Sequence, residues 1–234
     1  MSRLTLTIDG RTVSGRSGMN LLQAARTEGI AIPTLCSFPG LAPLGACRVC
    51  IVEVAGRELP LPACATPAEE GMVVTTSSER LTCLRRMTVE LLLAERNHVC
   101  PVCTREGACE LQALARALGI DHLRYEQFSP RLEVDLSHRR FGIDHNRCIL
   151  CRRCVRVCDT VEGAHTLDVG WRGGSSRVIC DLARPWGESS TCTECGKCVT
   201  VCPTGALFEK GGGLPRRSAV DLERIRSWRK RRFR

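Results

Sequence analysis

Two cysteine runs of one spacing constrain this chain more than any other feature. They are Cys148-x2-Cys151-x2-Cys154-x3-Cys158 and Cys192-x2-Cys195-x2-Cys198-x3-Cys202, the second followed by Pro203. In this pattern a tight loop supplies three thiolates to a cubane [4Fe–4S] cluster and the other run supplies the fourth. The spacing therefore assigns Cys148, Cys151, Cys154 and Cys202 to one cube, and Cys158, Cys192, Cys195 and Cys198 to the other. Zinc is the alternative, but it calls for two C-x2-C pairs per ion. Three evenly spaced cysteines plus a fourth fit that poorly.

The remaining cysteines extend the reading to metal elsewhere in the chain. There are 17 in 234 residues. Met1-Ser2-Arg3-Leu4-Thr5 leads into a polar alternation rather than an apolar run, so no secretory signal is expected. No stretch approaches the roughly 18 apolar residues of a membrane span. A cytoplasmic chain is expected, with thiols loaded with metal rather than paired as disulfides. Aromatic residues are 4% of the chain, so its cores should be small and aliphatic, with metal sites adding folding free energy. The net charge of +9 is uneven: residues 216–234 hold nine Lys/Arg against two acids, a local +7.

Along the chain, Leu4 to Ile8 alternates, Asp9-Gly10 turns, and Arg11-Thr12-Val13 resumes, which predicts a hairpin with a type I′ turn. Asn20 to Arg26 reads as a helix stopped by Gly29. Cys36, Cys47, Cys50 and Cys64 follow with spacing C-x10-C-x2-C-x13-C in a loop containing Gly40, Gly45 and Ala46. Four thiolates among small residues suit a [2Fe–2S] rhombus, because backbone N–H groups can approach the sulfurs. Zinc competes more strongly at this site taken alone. Residues 78–93 predict a helix with Leu81, Leu84, Met87, Leu91 and Leu92 on one face, and Cys83 inside it as a small buried hydrophobe.

Cys100, Cys103 and Cys109 are one ligand short of a [4Fe–4S] cluster, and His98 is the candidate fourth, with Cys83 in reserve. Leu111 to Leu118 reads as a short helix. Residues 120–147 read as a connection with His122, His138 and His145 at the surface. Thr166 to Ile179 reads as a hairpin between the two cubane runs, with Cys180 structural at its end. Gly211-Gly212-Gly213 reads as a linker, and 214–234 as a basic tail, either a helix with Leu222, Ile225 and Trp228 on one side, suited to docking a partner subunit, or a frayed solvated tail. Charge alone permits nucleic acid as a partner, but nothing else in the chain supports it. No G-x-G-x-x-G and no nucleophile–base pair is present, so no catalytic residue is assigned.

The order of these motifs resembles the N-terminal region of the large iron–sulfur subunit of respiratory complex I. The same block occurs in NAD-linked formate dehydrogenases and iron-only hydrogenases. A chain stopping after it is most similar to the small diaphorase iron–sulfur subunits (HoxU-type) of bidirectional NAD-reducing [NiFe] hydrogenases. Glu95-Arg96-Asn97-His98, Cys148-Ile149-Leu150-Cys151-Arg152-Arg153-Cys154 and Pro185-Trp186-Gly187-Glu188 carry that likeness. Where complex I has its histidine ligand, this chain has Arg96, and Cys158 is followed by Asp159 rather than Pro.

The resemblance implies an α+β chain. Residues 1–77 would form a β-grasp [2Fe–2S] ferredoxin domain, and 78–135 a helical [4Fe–4S] domain with one histidine and three cysteine ligands. Residues 136–213 would form a ferredoxin-like domain with two [4Fe–4S] clusters and a hairpin insertion, and 214–234 the basic tail. It implies one [2Fe–2S] and three [4Fe–4S] clusters passing electrons between hydrogenase small and large subunits and an FMN- and NAD-binding diaphorase large subunit. FMN, NAD and the nickel–iron site would lie in those partners. The alternatives are the equivalent subunit of an NAD-linked formate dehydrogenase or complex I-like assembly, and, of another class, an iron–sulfur redox sensor.

Overall fold

The computed structural model describes residues 2–103 and 105–211. The expected basic helix at 214–234 and the end of the glycine linker lie outside them. The chain opens with strands β1 (Arg3–Ile8) and β2 (Arg11–Arg16), antiparallel with Leu6 opposite Val13. Asp9 and Gly10 take φ of 49° and 75°, the double left-handed geometry of a type I′ turn. The Asp9 carboxylate then accepts hydrogen bonds from Thr76 N and Oγ1, at 2.7 and 2.5 Å. Helix α1 (Leu21–Thr27) starts at a capping box between Asn20 and Gln23.

Three further strands complete a mixed sheet: β3 (Ile51–Val54), β4 (Leu61–Pro62) and β5 (Val73–Thr75). The strand order is β2-β1-β5-β3-β4, with β5 parallel to β1. Leu4, Leu6 and Ile8 alternate inward and bury against Leu21, Leu22, Val52 and Val74. The cysteine loop lies between α1 and β3, with Cys64 just beyond β4, so the sheet and the helix frame it from both ends.

Helix α2 (Glu79–Ala94), capped by Ser78, then runs toward α3 (Glu110–Ala117). The buried face of α2 differs from the leucine stripe expected: it is Leu81, Arg85, Val89, Glu90 and Ala94, while Leu91 is exposed. The reason is polar. Arg85 reaches inward to donate to the carbonyls of Val49, Ile51 and Thr76 at 2.6–3.2 Å, and Glu90 accepts two bonds from Arg124 Nε and one from its Nη2. Cys83 is exposed on this helix, not buried as expected, because the inward rotation of Arg85 turns position 83 to solvent.

The stretch read as a plain connection contains β6 (Val134–Asp135) and β7 (Phe141–Asp144). They join β10 (Leu207–Glu209) in a three-stranded antiparallel sheet of order β10-β7-β6. Of the three histidines placed at the surface, His138 and His145 are buried, 4% and 8% exposed, and His138 packs against Phe141 and Trp186. Helix α4 (Arg153–Arg156) runs on as a π-helical turn over Val157–Glu162, and α5 (Lys197–Val201) precedes β10. Strands β8 (Leu167–Gly170) and β9 (Arg177–Cys180) form the expected hairpin between them. Cys180 is buried in this module's core, beside Leu167 and Trp186.

Candidate metal centres

Each cubane run folds as a loop entering a short helix, and both loops bend in the same way. Leu150 and Arg152 flank Cys151 with φ of 50° and 56°, and Glu194 and Gly196 flank Cys195 with φ of 54° and 70°. Left-handed residues on either side of the middle cysteine curl the loop so that its three sulfurs face inward. In the first loop the Leu150 N–H points at Cys148 Sγ, 3.4 Å away.

The structure brings the predicted ligands together in the predicted sets. One cavity is lined by Cys148, Cys151, Cys154 and Cys202. A second is lined by Cys158, Cys192, Cys195 and Cys198. A third is lined by His98, Cys100, Cys103 and Cys109. In the N-terminal loop the Cys36 N–H donates to Cys47 Sγ at 3.3 Å, and Cys36, Cys47, Cys50 and Cys64 interact through their side chains. Among the described residues no three His, Cys, Asp or Glu side chains gather for a single ion. Zinc would draw its sulfur ligands to about 2.3 Å of one point, so the three donor sets that ring a cavity suit a polynuclear cluster better.

The electrostatics fit the same group. Burial pushes the Cys148 thiol up to about 11 and Cys151 to about 12, and drives Cys154 and Cys198 well above the usual thiol range. Left as thiols these side chains stay protonated at neutral pH, and metal binding must displace the protons. In the N-terminal loop the neighbouring Cys47 and Cys64 side chains hold the Cys36 thiol well below the usual range, while Cys47 and Cys64 are pushed up.

His98 carries an unpartnered ring nitrogen. Burial lowers its pKa to about 4, so the ring is neutral. Its Nε2 is buried without a hydrogen-bond partner and the ring lines the third cavity. The ring also bonds to the Leu92 carbonyl, which leaves Nδ1 as the donor and the Nε2 lone pair free. Arg96, at the position of the complex I histidine, serves elsewhere: it is 1% exposed and donates to the carbonyls of Gly174 and Ser176 in the β8–β9 loop, at 3.2 and 2.7 Å. Cys83 does not line this cavity.

The sites are neighbours. Thr204 lines both the His98 cavity and the Cys148 cavity. Cys36 and Cys47 share a core with Cys151 and Cys109, and Cys154, Cys198 and Cys202 share another. Two arginines of α4 stitch these loops. Arg153, 2% exposed, pairs with Glu110 at 2.7 Å, donates to Val201 O and stacks over Phe38. Arg156 donates to Cys36 O at 2.5 Å and to Ala42 O. Sequence spacing carried no signal for either contact.

Comparison with known proteins places this architecture. Residues 1–79 match the family described as 2Fe-2S iron-sulfur cluster binding domain. Residues 85–124 match the NADH-ubiquinone oxidoreductase-G iron-sulfur binding region, and 141–208 the ferredoxin-like domain of NADH-quinone oxidoreductase subunit 3. The chain is 33% identical to the NAD-reducing hydrogenase HoxS subunit gamma of Cupriavidus necator, over 90% of this chain and 88% of that one. The chain belongs to that subunit's family. A chain in the crystal structure of NAD+-reducing [NiFe]-hydrogenase in the H2-reduced state has the same fold, with a TM-score of 0.84 and 39% identity over 91% of this chain and 89% of that one.

Longer relatives share the block. The NADP-reducing hydrogenase subunit HndD of Solidesulfovibrio fructosivorans is 42% identical over 89% of this chain, and the NADPH-Fe(3+) oxidoreductase subunit alpha of Geobacter sulfurreducens is 39% identical over 88%. This chain spans only 36% and 24% of their respective lengths. Among the described residues no helix is long and apolar enough to cross a membrane.

Proposed function

We propose that this chain is the electron-transfer subunit of an NAD-reducing hydrogenase. It would hold a [2Fe–2S] cluster on Cys36, Cys47, Cys50 and Cys64, and [4Fe–4S] clusters on His98, Cys100, Cys103 and Cys109; on Cys148, Cys151, Cys154 and Cys202; and on Cys158, Cys192, Cys195 and Cys198. Three modules, 1–77, 78–135 and 136–213, carry these sites, with the tail 214–234 available for docking. The observation that carries the reading is that three separate cavities are each lined by four donors of one predicted set.

Bound there, iron–sulfur clusters pass electrons one at a time. The chain's own residues bury the cysteines of the N-terminal loop and of the Cys148 cavity away from water, keep His98 neutral and clamp neighbouring loops through Arg153 and Arg156. The partners are hydrogenase small and large subunits on one side and an FMN- and NAD-binding diaphorase subunit on the other, in the cytoplasm. H2 gives up two electrons and two protons. NAD+ takes both electrons and one proton, and the other proton is released. Substrate conversion belongs to the partners in this reading.

The test is to isolate the native assembly through this chain without oxygen, count iron, and compare NAD+ reduction driven by H2 and by formate. About 14 irons per chain on these sites and H2-driven turnover are expected. Formate-driven turnover would move the chain to a formate dehydrogenase and retain the ligand sets. A chain isolated alone, with neither activity, would favour a redox sensor.

A further inference from the structure

Trp186, in the string Pro185-Trp186-Gly187-Glu188, and His138 hold none of the four sites, yet both are buried against one of them. Trp186 is 1% exposed and donates its indole Nε1–H to Cys192 Sγ at 3.4 Å. His138 stacks on Phe141 and leans on Trp186, with ring centroids 5.0 and 5.1 Å away. Its Nδ1 accepts two backbone N–H groups, those of Arg140 and Phe141, each at 3.1 Å. An imidazole nitrogen that accepts hydrogen bonds carries no proton, so these two donors assign the ring proton to Nε2. That nitrogen faces Cys192 Sγ at 4.0 Å and Glu194 Oε1 at 3.9 Å.

Two ring N–H groups therefore converge on one sulfur, and the turn that carries Trp186 is fixed to the segment that carries His138. Trp186 N donates to Asp135 Oδ2 and Gly187 N to Ser137 Oγ, both at 2.7 Å. A methyl group on Gly187 would overlap the Ser137 carbonyl, so the backbones meet this closely only because residue 187 has no side chain. The two cubane runs have the same spacing, but Cys148, the counterpart of Cys192, takes a backbone N–H from Leu150 instead.

We propose that Trp186, with His138 beside it, is a positioning residue that raises the reduction potential of the cluster held by Cys192 and so makes two sites of identical spacing electrochemically unequal. This rests on the ligand assignment proposed above. Reduction adds negative charge to a cluster and its thiolates. An N–H donor aimed at a thiolate sulfur stabilises the reduced form more than the oxidised one, most strongly where water is excluded. The indole bond is the shorter of the two and makes the larger contribution.

Trp186→Phe keeps the ring stack and removes the N–H. The measurement is a redox titration of the anaerobically purified assembly followed by electron paramagnetic resonance. With iron unchanged, the reduction constant of one cubane should fall about tenfold, which is 59 mV for a one-electron couple, while the other signals stay in place. Full iron with no shift, or with all the signals shifting together, overturns the proposal and leaves the ligand sets standing. Absence of cubane signals in the unaltered assembly overturns the ligand sets instead. Should Trp186→Phe lose iron, the unaltered chain is labelled with indole-15N tryptophan: a 15N coupling at a reduced cubane supports the bond, and none overturns it.

Discussion

His98 is placed to serve as the fourth donor proposed for its cavity. The ring is buried enough to stay neutral, one nitrogen is spent on the Leu92 carbonyl, and the other is unpartnered in a ring that lines a cavity with Cys100, Cys103 and Cys109. His98→Ala should therefore remove or convert one cluster, read as iron content and low-temperature spectrum; an unchanged count and spectrum would point to another fourth ligand. Glu90 is a structural counterpart. Its carboxylate is fully buried, and hydrogen bonds from Arg124 hold its pKa below the usual carboxylate range. Between that lowered value and about 4.3 the unfolded chain binds more protons than the folded one, so the stabilisation is present at neutral pH and is lost as pH falls through that window. The melting temperature of Glu90→Gln should lie below that of the unaltered chain at pH 7, and the gap should close as pH drops. The grouping of cysteines and His98 around three cavities was legible in the sequence because each loop is a local object defined by its spacing. The partners of buried Glu90 and Arg96 were not, since Arg124 is 34 residues from the first and Ser176 is 80 from the second.

Among the elements, the hairpin with its Asp9-Gly10 turn, α1 and the β8–β9 insertion all follow from short-range signals: left-handed turn residues, a capping box, and alternation. α2 was legible as a helix but not in its orientation. Its leucines describe one face and its arginine another, and the arginine prevails because three buried carbonyls need a donor. Arg85→Ala leaves those carbonyls unpaired and should destabilise the N-terminal sheet by about 2–4 kcal/mol; denaturant unfolding of the loaded chain measures it. The β6 and β7 strands escaped notice for a related reason. Val134–Asp135 is too short to alternate, and β7 pairs with a strand more than 60 residues further on.

At the scale of the whole molecule, four candidate sites lie close enough to share side chains and cores, with Thr204 between two of them and α4 arginines across three loops. Cys202→Ala takes one donor from the Cys148 cavity. About four irons per chain should be lost, along with H2-linked NAD+ reduction, while the flavin-bearing partner goes on reducing artificial acceptors with NADH. Survival of full H2-to-NAD+ turnover would end the electron-relay reading. The crossed membership of the two cubane cavities also bears on how the chain is made. Residues leave the ribosome in order, so Cys36 to Cys64 and His98 to Cys109 can each be complete while the rest is still being synthesised. Cys148, Cys151 and Cys154 must wait for Cys202, and Cys158 must wait for Cys192, Cys195 and Cys198. The second cavity thus closes four residues before the first, and a nascent chain stalled between 158 and 192 exposes four unfilled thiols at once. If those sets hold clusters as proposed, delivery of iron and sulfide to this module would be a late event in synthesis.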